Sequence, residues 1–139
     1  MSTSVTGLSA KAVFDATCVL ALGPAITKKP LLRLREVVAT SSHFSFPVLR
    51  RKRCSPVDAD RILELWNALP EGEGARCHLP GFALELRQAG EAIFVAALCW
   101  ECNNVSIAGR EAVIEKRLFD ASSKPAQELL ERCRRVSGR

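Results

Sequence analysis

The sequence predicts an α+β fold, in which an antiparallel sheet with a cysteine-bearing β-hairpin is packed by two helices at about residues 55–69 and 124–136. Two observations carry this prediction. Several segments alternate apolar and polar residues with a period of two, which is typical of strands. Two others repeat apolar residues at helical spacing. The order is strands, helix, strand meander and helix, which favours an antiparallel sheet with both helices on one face.

Three short strands are predicted before the first helix. The segment Ala12 to Leu22 alternates apolar and polar residues, and the segment Leu32 to Val38 alternates again. Phe44 to Val48 is the third such segment. Its Pro47 lacks a backbone N–H group and therefore indicates a sheet edge or the end of a strand.

Both predicted helices have clear starting signals. Ser55 is a good N-cap, Pro56 suits the first helical position, and Asp58 adds negative charge to the first turn. Pro70 ends this helix, and Pro125 lies in the first turn of the second. The apolar faces consist of Ile62, Leu65, Trp66 and Leu69 in the first helix, and of Ala126, Leu129, Leu130, Cys133 and Val136 in the second.

A hairpin is predicted around the turn Ala89-Gly90, between a strand that begins near Phe82 and a β-prone strand from Glu91 to Leu98. If Gln88 faces Glu91, the same register brings the sulfur-bearing ends of the hairpin together, within reach of a shared metal or a disulfide. The expected facing pairs are Phe82 with Ala97, Pro80 with Cys99, and Cys77 with Cys102. Two further strands are predicted at Val105–Ile107 and Ala112–Leu118.

The composition is that of one globular domain. The chain has 139 residues, 47% hydrophobic and 25% charged, and is long enough to bury a core without cross-links. The pattern breaks near residues 40–43, which suggests an N-terminal extension over residues 1–45, β in character and packed on the same domain, and a core domain over 46–137. No apolar stretch reaches the length of a membrane span. We therefore expect a soluble, cytoplasmic protein with no membrane partner.

The net charge of +5 comes mainly from two basic segments, residues 50–53 and the C-terminal arginines. Such runs can bind phosphate and therefore nucleic acid. Neither run is interleaved with aromatic residues, which base-stacking surfaces use. The sequence favours a solvated, arginine-rich surface over a nucleic-acid interface.

Six cysteines in a reducing compartment indicate free thiols, metal ligands or redox groups rather than a disulfide framework. Cys18 and Cys133 lie on apolar faces and are predicted to pack in the core. Cys54 follows four basic residues, a setting that would lower the pKa of its thiol. An unreactive loop cysteine is nevertheless the favoured interpretation there.

The remaining candidates are Cys77, His78, Cys99 and Cys102, and three interpretations stay open. In the first, the three cysteines bind zinc, and His78 is the fourth ligand or a neighbour that orients one. In the second, Cys99 and Cys102 form a redox dithiol, although the turn-like Asn103-Asn104 is unlike the helix that follows thioredoxin-type motifs. In the third, all of them are packing residues at the end of a hairpin.

A strict pleat argues against convergence of the full set. It would place Cys77 and Cys102 on one face and His78 and Cys99 on the other, so a bulge near Trp100 would be needed. Trp100 itself is predicted to be a hydrophobic anchor.

Motifs for catalysis are lacking. The sequence contains no nucleophile elbow, no phosphate-binding glycine loop and no paired carboxylates, so we lean against an enzyme. Glu101 could serve as a general base or support a metal ligand, but a solvated turn residue is favoured.

The segments ARCHLPGFALEL, LCWECNNVSI and FDASSKPAQELLERCRRV together resemble a group of small uncharacterised bacterial proteins. Members share an Arg-Cys-His/Phe-x-Pro segment, a downstream C-[FW]-x-C segment and a terminal helix. The resemblance covers roughly residues 46–137 and implies one structural unit but no activity. The shared positions are Arg76, Cys77, His78, Pro80, Gly81, Cys99, Trp100, Cys102 and Asn103.

The leading hypothesis from the sequence is a zinc-stabilised domain that binds another macromolecule. A thiol-based redox protein that uses Cys99 and Cys102 is the first alternative. A purely structural domain without metal is the second.

Overall fold

The computed structural model describes residues 14–25, 36–41, 44–74, 78–110 and 114–138. In these residues, one antiparallel sheet and two helices confirm the predicted α+β class. None of the described helices is long and apolar enough to cross a membrane. The elements are β1 (Ala16–Leu22), β2 (Val37–Ala39), β3 (Ser45–Arg53), α1 (Pro56–Asn67), β4 (Phe82–Gln88), β5 (Glu91–Cys99), β6 (Asn104–Gly109), β7 (Ile114–Leu118) and α2 (Lys124–Ser137).

The strands are ordered β2-β3-β1-β4-β5-β6-β7 across the sheet. Strand β1 therefore lies near the middle, between β3 and β4, and shares one sheet with the C-terminal strands. Some predicted positions lie outside the described residues. They are 12–13, 32–35 and 112–113 of the predicted strands, and Arg76 and Cys77 of the predicted cluster.

Both helices begin where the sequence predicts. The Ser55 side chain caps α1 by accepting a hydrogen bond from the backbone N–H of Asp58. Ser123 caps α2 in the same way, with the N–H of Ala126 as donor. Gly138 ends α2 with a φ of 75°, a left-handed conformation that favours glycine.

Both helices cover the same face of the sheet, as predicted. Alternate residues of the central strands meet the apolar faces of the helices there, and removal of this apolar surface from water drives the packing. The core on this helix side includes Val19, Ala21, Ile62, Leu65, Trp66, Phe82, Leu84, Leu98, Val105, Phe119, Leu129 and Cys133.

The opposite face, which we call the inner face, is also buried because the sheet curls. The Ser106 hydroxyl on β6 donates to the carbonyl oxygen of Thr40, beside β2, at 3.3 Å, although these strands are far apart in the strand order. Alternation alone did not predict this second core. Its apolar members are Cys18, Leu20, Leu22, Phe46, Ala83 and Ala97.

Strand β3 is longer than the sequence predicted. It continues past Val48 through the basic run to Arg53. The reason is its pairing with β1, which supplies partners along the whole run, including Leu20 for Arg51 and Cys18 for Arg53. The basic side chains therefore alternate between the helix side and the inner face of the sheet.

The hairpin between β4 and β5 has the predicted turn but not the predicted register throughout. Gln88 pairs with Glu91 as expected, and both turn residues have positive φ, 51° for Ala89 and 82° for Gly90. The register then shifts by one residue between Arg87 and Leu86. The predicted pairing of Phe82 with Ala97 is therefore wrong, because this irregularity on β5 places Leu98 opposite Phe82.

Candidate functional site

The motif CWECNN forms the end of β5 and the connection to β6. Cys99, the last residue of β5, pairs with Asn104, the first residue of β6. Asn103 has a φ of 53°, in the left-handed region that asparagine tolerates better than most residues. Its carbonyl oxygen accepts a hydrogen bond from the backbone N–H of Phe119 at 2.9 Å. The motif is therefore a tight turn that is tied to the chain after β7.

The Asn103 side chain joins two further segments to this turn. Its Nδ2 donates to the carbonyl oxygen of Glu73 at 2.9 Å, and its Oδ1 accepts from the backbone N–H of Ala121 at 3.3 Å. Glu73 belongs to the connection after α1, and Ala121 precedes α2. One amide group thus links both helix connections to the β5–β6 turn.

Trp100 anchors the start of α2. Its Nε1 donates to the carbonyl oxygen of Ala126 at 2.8 Å. Its ring lies edge-to-face between Phe82 and Phe119, with ring centroids 6.4 and 6.0 Å away. Such aromatic pairs add stability beyond the area that they bury. Glu101, next to Trp100, is exposed to solvent.

Cys99 and Cys102 are both buried, but they differ in chemical state. Cys99 is a free thiol with no exposed surface, and Cys102 is disulfide-bonded and 1% exposed. The two cysteines are therefore not bonded to each other. Cys77, the third cysteine of the predicted cluster, lies outside the described residues.

The other cysteines are buried free thiols with low reactivity. Burial raises the pKa of Cys54 to about 12 and also raises the pKa values of Cys18 and Cys133. The basic run was expected to lower the pKa of Cys54, but the thiol is only 9% exposed, and loss of hydration raises its pKa, with further increases from Cys18 and Asp58. These thiols are protonated at neutral pH and are poor nucleophiles.

His78 lies against the inner face of the sheet. Its Nδ1 is hydrogen-bonded to Oδ1 of Asn104, and its ring meets Phe46 edge-to-face with centroids 6.3 Å apart. Because Oδ1 can only accept, Nδ1 carries the proton in the neutral ring and Nε2 presents a lone pair. Nε2 is buried and has no hydrogen-bond partner among the described residues.

The pKa of His78 is lowered, chiefly because burial penalises the imidazolium; the hydrogen bond to Asn104 opposes this effect and the charge of Lys116 adds to it. The unfolded chain, in which the pKa of histidine is near 6.5, therefore takes up a proton before the folded chain does. We expect the free energy of unfolding to be intact above pH 6.5 and to fall as the pH drops below it, by up to about 1.4 kcal/mol per pH unit.

Urea unfolding at pH 7.5, 6.5 and 5.5 measures this contribution from His78. The matched control is His78→Gln, which keeps a donor for Asn104 but does not titrate. Equal pH dependence in the two proteins would contradict the expectation.

Among the described residues, no group of three or more histidine, cysteine, aspartate or glutamate side chains is arranged to hold a metal ion. The predicted zinc ligands also include Cys77, which lies outside these residues. The described residues line a cavity of about 350 Å³ and another of about 230 Å³. Neither is lined by His78, Cys99 or Cys102.

A buried charge network on the inner face was missed by the sequence analysis. Glu85 on β4 is 1% exposed, and Arg51 on β3 reaches across β1 to bind both of its carboxylate oxygens at 2.9 Å. Arg87 also donates to Glu85 at 3.0 Å, and Arg51 forms a second ion pair with Glu36. The sequence offered one signal for Glu85, its alternation with apolar residues in β4. That alternation places Glu85 on the face opposite the helices but does not show that this face is buried.

The chain matches no family model, no curated protein and no solved structure.

Proposed function

We propose that this chain is a metal-free interaction module that binds an anionic macromolecule. In this proposal the Cys/His segment is an internal brace, and a basic surface at the C-terminal end of α2 makes the contact. We define the basic surface as Arg50, Lys52, Arg134 and Arg135. The observation that carries the proposal is that these four exposed cations form no ion pair within the described residues and lie on two segments, β3 and the last turn of α2, that a hydrogen bond joins. The other exposed cations without an ion pair there lie elsewhere or, for Arg53, on the inner face; they are Arg53, Arg110, Lys116 and Lys124.

The basic surface is held in place where β3 meets α2. Arg50 and Lys52 pair with Ala21 and Val19, which belong to the helix-side core. Their side chains therefore project on the side of the sheet that carries α2. Arg50 Nη1 donates to the carbonyl oxygen of Ser137 in the last turn of α2 at 2.5 Å.

Gly138 leaves room for this contact, because a Cβ atom there would lie 2.8 Å from Nη1 of Arg50. A cation at a helix C-terminus is also favoured by the helix dipole. The contact of Arg50 with Ser137 joins β3 to the last turn of α2, so we expect the exposed cations of these two segments to act together. Unpaired cations on one surface attract polyanions and raise their rate of association.

The contact is expected to be with backbone charges rather than with bases, because the basic surface contains no aromatic residue for stacking. Binding to a duplex DNA probe should weaken as salt rises, with a slope of log K against log salt of roughly −3 for three to four phosphate contacts. We expect Lys52→Glu/Arg134→Glu to weaken binding by about tenfold or more.

Fluorescence anisotropy in a salt series measures this binding, with heparin as a competitor. The matched control is Arg110→Glu/Lys124→Glu, which makes the same change in net charge at exposed sites elsewhere. Equal weakening by the two double variants, or no binding of the unmodified chain at low salt, would refute the proposal. Arg51 is unsuitable for this test because it binds Glu85.

The brace depends on the disulfide at Cys102. The four described cysteines other than Cys102 are free thiols, and we assign Cys77 as the bonding partner. One further observation supports this assignment. A Cβ at Gly74, three residues before Cys77 in the sequence, would lie 3.6 Å from the carbonyl oxygen of Cys102. A sulfur in a disulfide is not a thiolate and cannot be an ordinary zinc ligand.

A zinc-stabilised form of the same module is the second candidate. It is favoured by His78, whose buried Nε2 finds no partner within the part of the chain that the structure describes. A neutral imidazole with a free lone pair is the form that binds zinc. Reduction would make Cys102 available beside Cys99 and the proposed ligand Cys77. A rise in thermal midpoint on adding zinc to the reduced protein, lost in His78→Gln, would support this form.

A redox role of Cys99 and Cys102 is the remaining alternative from the sequence. It would require Cys102 to exchange its disulfide, although both sulfurs are buried. Disulfides persist mainly in oxidising compartments. A disulfide at Cys102 is therefore not expected to persist in the reducing cytoplasm that the sequence predicts. The brace and a cytoplasmic location are compatible only if the bond at Cys102 forms and breaks with cellular redox conditions.

A further inference from the structure

Strand β7 ends the described sheet. It pairs with β6 from Asn104↔Leu118 to Ala108↔Ile114, and no described strand lies on its other side. Among the described residues, the loop after α1 reaches the C-terminal end of β7. The N–H of Asp120 donates to the carbonyl oxygen of Pro70, and a Cβ at Gly74 would meet the side chain of Leu118. An edge strand presents a row of backbone donors and acceptors that can pair with another strand.

The pattern of apolar and charged side chains along β7 is almost the same in both chain directions. The strand has apolar residues at its two ends, Ile114 and Leu118, and charged residues between them. Glu115 and Arg117 are opposite positions about Lys116 and carry opposite charges. They remain accessible, with 57% of the Glu115 side chain and 35% of the Arg117 side chain exposed, and Leu118 is 44% exposed.

The two faces of β7 differ in character. Glu115 and Arg117 pair with Ile107 and Val105, which point into the helix-side core, so these charges lie on the helix side. The remaining β7 residues, Ile114, Lys116 and Leu118, lie on the inner-face side.

We infer that β7 is a self-association edge, which pairs antiparallel with β7 of a second copy of this chain about a two-fold axis at Lys116. Glu115 then lies opposite Arg117 of the second copy, and Arg117 lies opposite its Glu115. Ile114 and Leu118 form two cross-strand apolar pairs on the other face. A two-fold interface repeats each contact, so both opposite-charge pairs form together.

Neighbouring registers are less favourable. In a continuous two-fold sheet, the helices of both copies lie on the same side only if residues on the same face of β7 are paired. Each such register places one β7 residue opposite the same residue of the second copy. An axis at Glu115 places two carboxylates opposite each other, and an axis at Arg117 places two guanidinium groups opposite each other. Only the axis at Lys116 pairs both acids with both bases, and the like charges at that axis remain exposed.

The resulting dimer is weak because a five-residue strand buries much less surface than a standard interface. Lys116 opposite its own copy weakens it further. The competing role for these charges is protection of the edge against pairing. That role requires a monomer at every concentration. The inference concerns a different surface from the anionic partner and does not depend on it.

Sedimentation velocity over a series from low micromolar to millimolar protein tests the dimer without any polyanion present. The unmodified chain should move from monomer to dimer as concentration rises. Glu115→Arg should weaken dimerisation by about tenfold or more, because it places like charges opposite each other. Glu115→Arg/Arg117→Glu should restore it to within about threefold, because the swapped charges are again complementary.

Two more variants complete the test. Lys116→Ser should strengthen the dimer because it removes the repulsion at the axis. Arg110→Glu, exposed beyond the end of β6, is the control and should leave dimerisation unchanged. Circular dichroism confirms that each variant is folded. A monomer at all concentrations in both the unmodified chain and Lys116→Ser, or a charge swap that fails to restore dimerisation, would overturn the inference.

Discussion

Replacement of Cys102 with alanine is expected to lower the free energy of unfolding by roughly 3 to 4 kcal/mol. Cys102 is disulfide-bonded and buried in the β5–β6 connection. A bridge to the proposed partner Cys77 encloses about 25 residues. Without this constraint the unfolded chain has more conformational entropy, which lowers its free energy by the amount given above. Alanine avoids burial of a new polar group.

Chemical denaturation with and without reductant separates the bond from the packing of the sulfur. Reductant should destabilise the unmodified chain by a similar amount and should leave Cys102→Ala unchanged. Cys99→Ala is the matched control, because Cys99 is a buried free thiol three residues away. That variant should keep the full response to reductant. An unmodified chain that is equally stable with and without reductant would contradict the brace.

Replacement of Glu85 with alanine is expected to cost about 3 kcal/mol or more of unfolding free energy. The carboxylate is almost fully buried and receives hydrogen bonds from Arg51 and Arg87. Its removal leaves the two guanidinium groups without their shared partner on the inner face of the sheet. Loss of one member of a buried ion pair is costly because the remaining charge is still poorly hydrated.

Glu36→Ala is the control for this prediction, because Glu36 pairs with the same Arg51 but has 52% of its side chain exposed. Solvent and salt screen that pair, so its loss should cost less than about 1 kcal/mol. Urea denaturation of both variants measures the difference. Equal losses of unfolding free energy in the two variants would show that the burial of Glu85 does not determine its contribution to stability.

The helices and the hairpin turn could be predicted because their signals are local. Ser55 and Pro56 start α1 wherever it packs, and Ala89-Gly90 forms the expected turn. The register of the hairpin could not be predicted, because a single irregularity in β5 moves Phe82 from Ala97 to Leu98. Such a shift has no clear signal in the residues themselves.

The curl of the sheet was the main feature that local patterns could not predict. It buries the inner face and turns Glu85 from an apparently ordinary strand residue into the centre of an ion-pair network. The same long-range pairing extends β3 through the basic run, so that Arg51 joins this network while Arg50 supports α2. A reading of the run as one basic patch could not separate these roles.

The predicted cluster was only partly accessible to sequence reasoning. Spacing drew attention to Cys99 and Cys102, but it could not show that one is a free thiol and the other is disulfide-bonded. Nor could it show that Asn103 and Trp100 hold the connections to both helices. These contacts depend on where the loop after α1 and the start of α2 meet the β5–β6 turn.

A thiol count on denatured protein, combined with elemental analysis for metal, tests the central claim of a metal-free disulfide brace most directly. The protein is purified without a metal-affinity tag and without reductant. The brace predicts four titratable thiols before reduction, six after it, and no stoichiometric metal. Six thiols before reduction, together with one zinc per chain, would contradict the brace and favour the zinc-stabilised form.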